Sequence, residues 1–222
     1  MNPSQPNSKL PWYSALTGYQ QNQLFENSNL LDFKKNETII KQGYTAGHIL
    51  YLEKGMAKLN VEENNRSTVF KIIAADSFIG LMCSFVKRRF DFSAVAIQPA
   101  KVRLIDRGAF ETLIRENGEF AVQIVQLMSL MTNKIVRDLI NLSHKNADGA
   151  ICTILSELSS VFDSQSFVMP FSRVELADTV GYSKESVITC LSSLQRDNII
   201  KVSGKNIEIL DPKRLEVIAR NG

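Results

Sequence analysis

"RVELADTVGYSKESVITCLSSLQRDNII", residues 173–200, is the stretch on which the rest of the chain turns. Ser172-Arg-Val-Glu175 has the spacing of a capping box, in which a hydroxyl and a carboxylate each satisfy a free backbone N–H, and it predicts a short helix over VELADTV. Gly181 stops that helix, because the turn after it needs a backbone conformation that costs glycine least. Ser183 caps a second helix, KESVITCLSSLQRDN. Ala177 is small where the helices would cross, and Leu176, Val180, Val187 and Cys190 are apolar at inward positions, which completes a helix-turn-helix. Lys184 and Glu185 then stand on the exposed first turn of the second helix, where such motifs reach base edges. Helical spacing alone fits an αα-hairpin with a solvated Lys-Glu pair as well. The residues after Asn198 shift the balance: IIKVSGKNIEIL is two β-rich runs about a turn with Gly204 at its tip, and DPKRLEVIAR opens with Asp211 as cap and Pro212 at the first helical position. A hairpin directly after the second helix makes this a winged helix.

Across the whole chain, 222 residues suffice for two modest domains, each with its own core. No apolar run approaches the ~18 residues a bilayer span needs, and the first residues, MNPSQPNSKLPW, have neither a basic start nor an apolar stretch behind it. These features predict a cytoplasmic protein with no membrane partner. Cys83, Cys152 and Cys190 are far apart and lack a CxxC, so neither a disulfide framework nor a zinc cluster is expected. The net charge is only +3, and from Gly149 onward eight Lys/Arg face nine Asp/Glu. DNA binding must therefore rest on the placement of cations, not on bulk charge.

Residues 30 to 105 read as short strands punctuated by Gly43, Gly47 and Gly55, which points to a sandwich or barrel. From Gly108 the period changes, and Ile124, Met128, Met131, Ile135, Leu139 and Leu142 recur at steps of three and four in a proline-free helix of about six or more turns. Val125, Leu127, Leu130 and Val136 lie on flanking faces, so one side is expected to pack on the strands and another on a second chain, with Ile124, Met128, Met131, Ile135 and Leu139 as the dimer seam. A single-chain core helix with a broad apolar face is the plainer alternative. SHKNADG then suits a hinge, with Asp148 or Asn146 capping the helix GAICTILSELSSVF.

The order of β-roll, long helix, hinge and winged helix resembles the CRP/FNR family of bacterial transcription regulators from about Leu24 to Val217. NETIIKQGYTAGHILYLEKGMAKL is similar to the family's glycine-punctuated first strands, DSFIGL to its effector-loop strand, and VELADTVGYSKESVITCLSSLQRDNII to its DNA-reading segment. The resemblance implies an α+β chain: a jelly-roll-like β-roll sensor domain over residues 1–115, a dimerisation helix over 116–145 and a winged helix-turn-helix domain over 146–222. It further implies a homodimer on double-stranded DNA, an RNA polymerase contact if the protein activates, and no enzyme activity. Lys184, Glu185 and Thr189 correspond to base-reading positions. Glu185 can accept from a cytosine amino group, and Lys184 can donate to guanine as a single point. Ser172, Arg173, Ser183, Ser186 and Lys205 correspond to positions near phosphates. Two recognition helices ~34 Å apart would read an inverted repeat.

The effector positions depart from the cyclic-nucleotide pattern of an acidic residue after the loop glycine and an Arg-Ser pair for the phosphate. Here Leu81 follows Gly80, Phe92-Ser93 replaces the pair, and Ile135-Val136 stands on the helix. Without a cation at position 92 a buried phosphate lacks its counter-charge, at several kcal/mol, so cyclic AMP is not the expected effector. An apolar or aromatic small molecule suits these residues better, although they would equally make a filled core. Lys87-Arg88-Arg89 reads as a solvated hairpin tip before an anion contact. No iron-sulfur cluster is expected, as the N-terminal segment has no cysteine. A haem would have only His48, His144, methionines or cysteines as axial ligands, and both histidines read as surface or capping residues. Cys83 is a redox-switch candidate with nothing nearby to activate it. A cupin-like enzyme would need clustered metal ligands that two lone histidines do not provide. A signalling module acting through protein contacts remains the alternative from another class.

Overall fold

The computed structural model describes residues 10–64, 66–86 and 89–222. Lys87 and Arg88 of the basic run lie outside the described residues. Compactness divides the chain into one unit of residues up to 57 with 73–136, and a second of 58–72 with 137–222. This division differs from the sequence boundaries in two places. It cuts the long helix and assigns residues 58–72, read as part of the β-roll, to the second unit.

In the first unit two helices, α1 (Pro11–Ser14) and α2 (Gly18–Glu26), precede the strands. Thr17 starts α2 with a capping box closed by Gln20. The strands between Ser28 and Asp106 are β1 (Ser28–Phe33), β2 (Thr38–Ile40), β3 (His48–Lys54), β4 (Met56–Glu63), β5 (Arg66–Ala74), β6 (Ser77–Ile79), β7 (Ser93–Ala96) and β8 (Ala100–Asp106), of which β4 and β5 fall mostly in the second unit. They form two four-stranded sheets of order β1-β8-β3-β6 and β2-β7-β4-β5, and β3 pairs antiparallel with β8 from His48↔Asp106 to Leu52↔Val102 before a register shift. Residues 30–105, read as strands from the sequence, also contain a helix: α3 (Leu81–Val86) interrupts them directly after Gly80. Gly80 has φ +69°, and a Cβ there would fall 2.6 Å from the Phe90 ring, so only glycine fits this turn.

The core of this unit is aromatic. Trp12 lies 5.2 Å from Tyr51 and 4.9 Å from Phe78 between ring centroids, and Phe110 meets both Phe78 and Phe120 edge-on. Offset and edge contacts of this kind add to the area each ring buries. Burial pushes the Tyr51 phenol far up, and its hydroxyl donates to the Asp76 carboxylate at 2.8 Å. Arg103 and Glu53 form a buried ion pair, with the guanidinium also donating to Ser28 and lying over the Phe25 ring. The strands end at Asp106, whose carboxylate caps α4 (Arg107–Glu116). The expected single long helix from Gly108 is broken once, at Asn117, whose side chain accepts from the Phe120 N–H as α5 (Gly118–Ser143) begins.

The second unit is built on α6 (Ala147–Phe162), capped by Asn146 and ended by Asp163 in the left-handed region. It continues through β9 (Ser166–Val168), α7 (Arg173–Val180), α8 (Lys184–Arg196), β10 (Ile200–Ser203), β11 (Asn206–Ile209) and α9 (Pro212–Asn221). The wing pairs Ser203 with Asn206 across the turn, and β9 adds a third strand beside β11 that three residues were too short to announce. Ile151, Leu155, Leu176, Val187, Leu191, Leu194, Ile207 and Leu215 are among the residues of its core.

Candidate nucleic-acid interface

The turn between α7 and α8 forms as its residues dictate. The Ser172 hydroxyl accepts from the Glu175 N–H at 3.2 Å while Glu175 accepts from the Ser172 N–H at 2.8 Å, so both free donors at the start of α7 are satisfied. Gly181 closes α7 at φ +75°. Ser183 accepts from the Ser186 N–H, and the two hydroxyls lie 3.0 Å apart. The α7–α8 angle is held by Ala177, Leu176, Val180, Val187 and Cys190, all buried as their spacing indicates.

On that frame Lys184, Glu185 and Thr189 are exposed along one side of α8. Ser172, Ser183 and Lys205 are also exposed, the last at the wing turn. Arg173 is half-buried, and burial lowers its pKa, though a guanidinium stays cationic near neutrality. All eight DNA-facing candidates belong to the second unit. Cys190, on the opposite side of α8, is held as a neutral thiol: its hydrogen bond with Cys152, burial and Asp148 all push its pKa up.

One partner of this unit escaped the sequence. The β4–β5 hairpin reaches α7, where Lys58 donates to Glu175 at 2.5 Å and the Val69 N–H donates to the Thr179 hydroxyl at 3.1 Å. Glu175 and Thr179 are four apart and share a face of α7. Burial raises the Glu175 carboxyl, but the Lys58 and Ser172 hydrogen bonds and the Lys58 charge outweigh it and hold it below its ordinary range. The only local signal was that Lys58 stands in a strand between the apolar residues Ala57 and Leu59, an inconclusive one.

The first-unit candidates fare differently. Gly80 and Phe92 are brought together, with the ring 3.5 Å from where a glycine Cβ would sit. Leu81, 1% exposed, is part of the Trp12–Tyr51–Phe78 core, so its side chain is a packing element of a filled interior and not the lining of an open pocket. Ser93 is buried, with its hydroxyl accepting from the Gln42 N–H at 3.1 Å. Ile135 and Val136 are exposed on α5. An open hollow of about 640 Å³ lies elsewhere, at the β4–β5 turn between Val61, Glu63, Asn64, Arg66 and Thr68.

Of the residues expected at the dimer seam, Ile135 and Leu139 are exposed, Met128 and Met131 half-buried and Ile124 buried. Ile124 is 3% exposed within its own chain's core, and Met128 packs against that core, so the row is occupied at its N-terminal end. An exposed row of another register runs along α5: Val122, Val125, Ser129, Thr132, Val136 and Leu139 recur at alternate steps of three and four, with Leu139 68% exposed, and Leu130, Ile135 and Ile140 are exposed beside it. Met131 is half-buried beside the core-facing row. His48 and His144 are both exposed, and no group of three or more His, Cys, Asp or Glu among the described residues could hold a metal ion. No helix among the described residues is long and apolar enough to cross a membrane.

Comparison with known proteins agrees with this layout. A cyclic nucleotide-binding domain model matches residues 30–117, and a Crp-like helix-turn-helix domain model matches 149–218. The chain is 25% identical over 192 residues to the transcriptional activator protein Anr of Pseudomonas aeruginosa, covering 84% of this chain and 78% of that protein. It is 22% identical to the CRP-like cAMP-activated global transcriptional regulator of Mycobacterium tuberculosis, covering 86% and 88%. Among solved structures, a transcriptional regulator of the CRP/FNR family from Eubacterium rectale superposes with a TM-score of 0.81 at 17% identity, over 97% of this chain and 100% of that one. FixK2 from Bradyrhizobium japonicum superposes at 0.74 and 20% identity, over 88% and 98%. With a sensor-type model and a reader-type model matched in that order and together taking in most of the chain, the protein belongs to the CRP/FNR family of transcription regulators.

Proposed function

We propose that the protein is a homodimer that reads an inverted-repeat operator through α8 and is controlled by a small effector other than cyclic AMP. The observation that carries the reading is the exposed face over the first two turns of α8. Lys184, Glu185 and Thr189 are exposed there on a helix whose start, stop and crossing are fixed by Ser183, Gly181 and Ala177. In this reading Glu185 accepts from a cytosine amino group, Lys184 faces guanine, and Ser172, Arg173, Ser183, Ser186 and Lys205 meet phosphates. Residues 1–115 act as the sensor domain, 116–145 as the dimerisation helix and 146–222 as the DNA-binding domain.

The exposed heptad row Val122–Leu139 supports a helix-to-helix dimer, since alternating steps of three and four keep one seam facing a partner helix. The polar Ser129 and Thr132 in that row are the kind of residue that fixes register at some cost in stability. Against cyclic AMP stand Phe92 where a phosphate needs a cation, and Leu81 already packed in the core.

Selection of bound sequences from a random duplex pool at two salt concentrations tests the reading. An enriched inverted repeat whose affinity falls steeply with salt is the expected result. No enrichment at either salt would favour a module that acts through protein contacts. For the dimer, Val136→Glu with Leu139→Glu should give monomers in sedimentation, and a persisting dimer would remove the α5 seam.

A further inference from the structure

Ile188 is the one large apolar side chain of α8 that faces solvent among the described residues, with 46% of its surface exposed. The helix has no structural need of it there. Its inward face is complete with Val187, Cys190, Leu191 and Leu194, and a β-branched residue on an open helix surface brings a slight propensity cost and no packing. A single exposed isoleucine is unremarkable on most surfaces. The position of this one is what matters. It stands one turn after Lys184 and three residues after Glu185, so at about 100° per residue its side chain projects between theirs, with Thr189 beside it.

That places an apolar group at the centre of a polar face that otherwise presents a cation, a carboxylate and a hydroxyl. The edges of base pairs in the major groove offer a single apolar feature, the C5 methyl of thymine. Isoleucine can neither donate nor accept a hydrogen bond, so any preference it confers must come from burying that methyl.

We propose that Ile188 is a specificity-determining residue that packs on a thymine methyl beside the base pair faced by Lys184 and Glu185. Each half-site then carries a thymine at that position. The inference rests on the reading of α8 as the DNA-reading helix.

The test begins with the operator enriched by the wild-type protein. Each thymine of one half-site is replaced singly by uracil, which lacks only the methyl, and binding is measured by competition for the wild type, Ile188→Val and Ile188→Ala. One uracil substitution should weaken the wild type about fourfold, the worth of one buried methyl group. The same substitution should cost Ile188→Val less and Ile188→Ala almost nothing, with the salt dependence of all three unchanged. An exposed-site Ile→Ala change favours helix formation, so loss of fold does not enter. A uracil series that is flat, or equally costly in the wild type and Ile188→Ala, overturns this inference while leaving the operator in place. A wild-type protein that enriches no sequence overturns the reading of α8 itself, and this inference with it.

Discussion

On α8, Lys184, Glu185 and Thr189 are exposed and the backbone beneath them is secured by caps a few residues away, whereas in the first unit Leu81 and Ser93 are buried with residues mostly distant in sequence. The contrast comes from what each region would grip. A helix that enters a groove of another molecule must carry its chemistry outward, and local rules of capping and periodicity then suffice to place it. A pocket for a small molecule is the space that remains after side chains from many elements have packed. Around Leu81 that space is taken by Trp12, Tyr51 and Phe78, so residues that look like a pocket in sequence become part of a core.

The largest effect expected on this contrast is at Trp12. Trp12→Ala should destabilise the protein by about 3–5 kcal/mol through loss of aromatic burial and the cavity left behind, read from its urea unfolding midpoint. A shift below about 1 kcal/mol would mean that the interior around Leu81 is not closed, and would reopen the effector site there. Glu185→Ala should do the reverse. Stability should stay within about 0.5 kcal/mol of wild type, while discrimination at one half-site position falls by about 1–3 kcal/mol in competition binding. An unchanged preference would remove Glu185 from the reading face.

The smallest effect belongs to the hairpin contact that local rules did not reveal. Lys58→Met leaves the part-buried Glu175 carboxylate without its cation and should cost about 1–2 kcal/mol at pH 7. Because the folded Glu175 carboxyl is held below its ordinary range, its contribution is complete above the unfolded value of about 4.3 and fades as pH falls through the lowered folded value. The difference between wild type and Lys58→Met should therefore shrink below about pH 4. A difference that persists undiminished at pH 3 would show that the lysine stabilises by packing its stem and not through its charge.

Much of the second unit was legible one residue at a time. Ser172, Glu175, Gly181, Ser183, Asn146 and Asp211 each act within three or four residues of themselves, and in the structure each caps or stops the helix its spacing indicated. Helix α3 was hidden because LMCSFV is apolar enough to pass for the end of a buried strand, and what separates it from β6 is a turn at Gly80 with φ +69°, closed against the Phe90 ring. The break at Asn117 was hidden for a similar reason, since its side chain replaces a helical backbone bond that periodicity alone does not test.

The long helix marks the boundary between the two kinds of knowledge. Its residues alone establish that α5 is a helix with more apolar surface than one chain's core accounts for, because apolar side chains recur on more than one of its faces. Two rows shared the helical period, Ile124–Met128–Met131–Ile135–Leu139 and Val122–Val125–Ser129–Thr132–Val136–Leu139, which converge at Leu139, and period does not say what part of them its own chain covers. Packing in three dimensions makes that choice: Phe120 and Ile124 are buried with Phe110 and Leu113, and the helix can turn only one face toward that core, which leaves the Val122 row and the C-terminal end of the Ile124 row exposed.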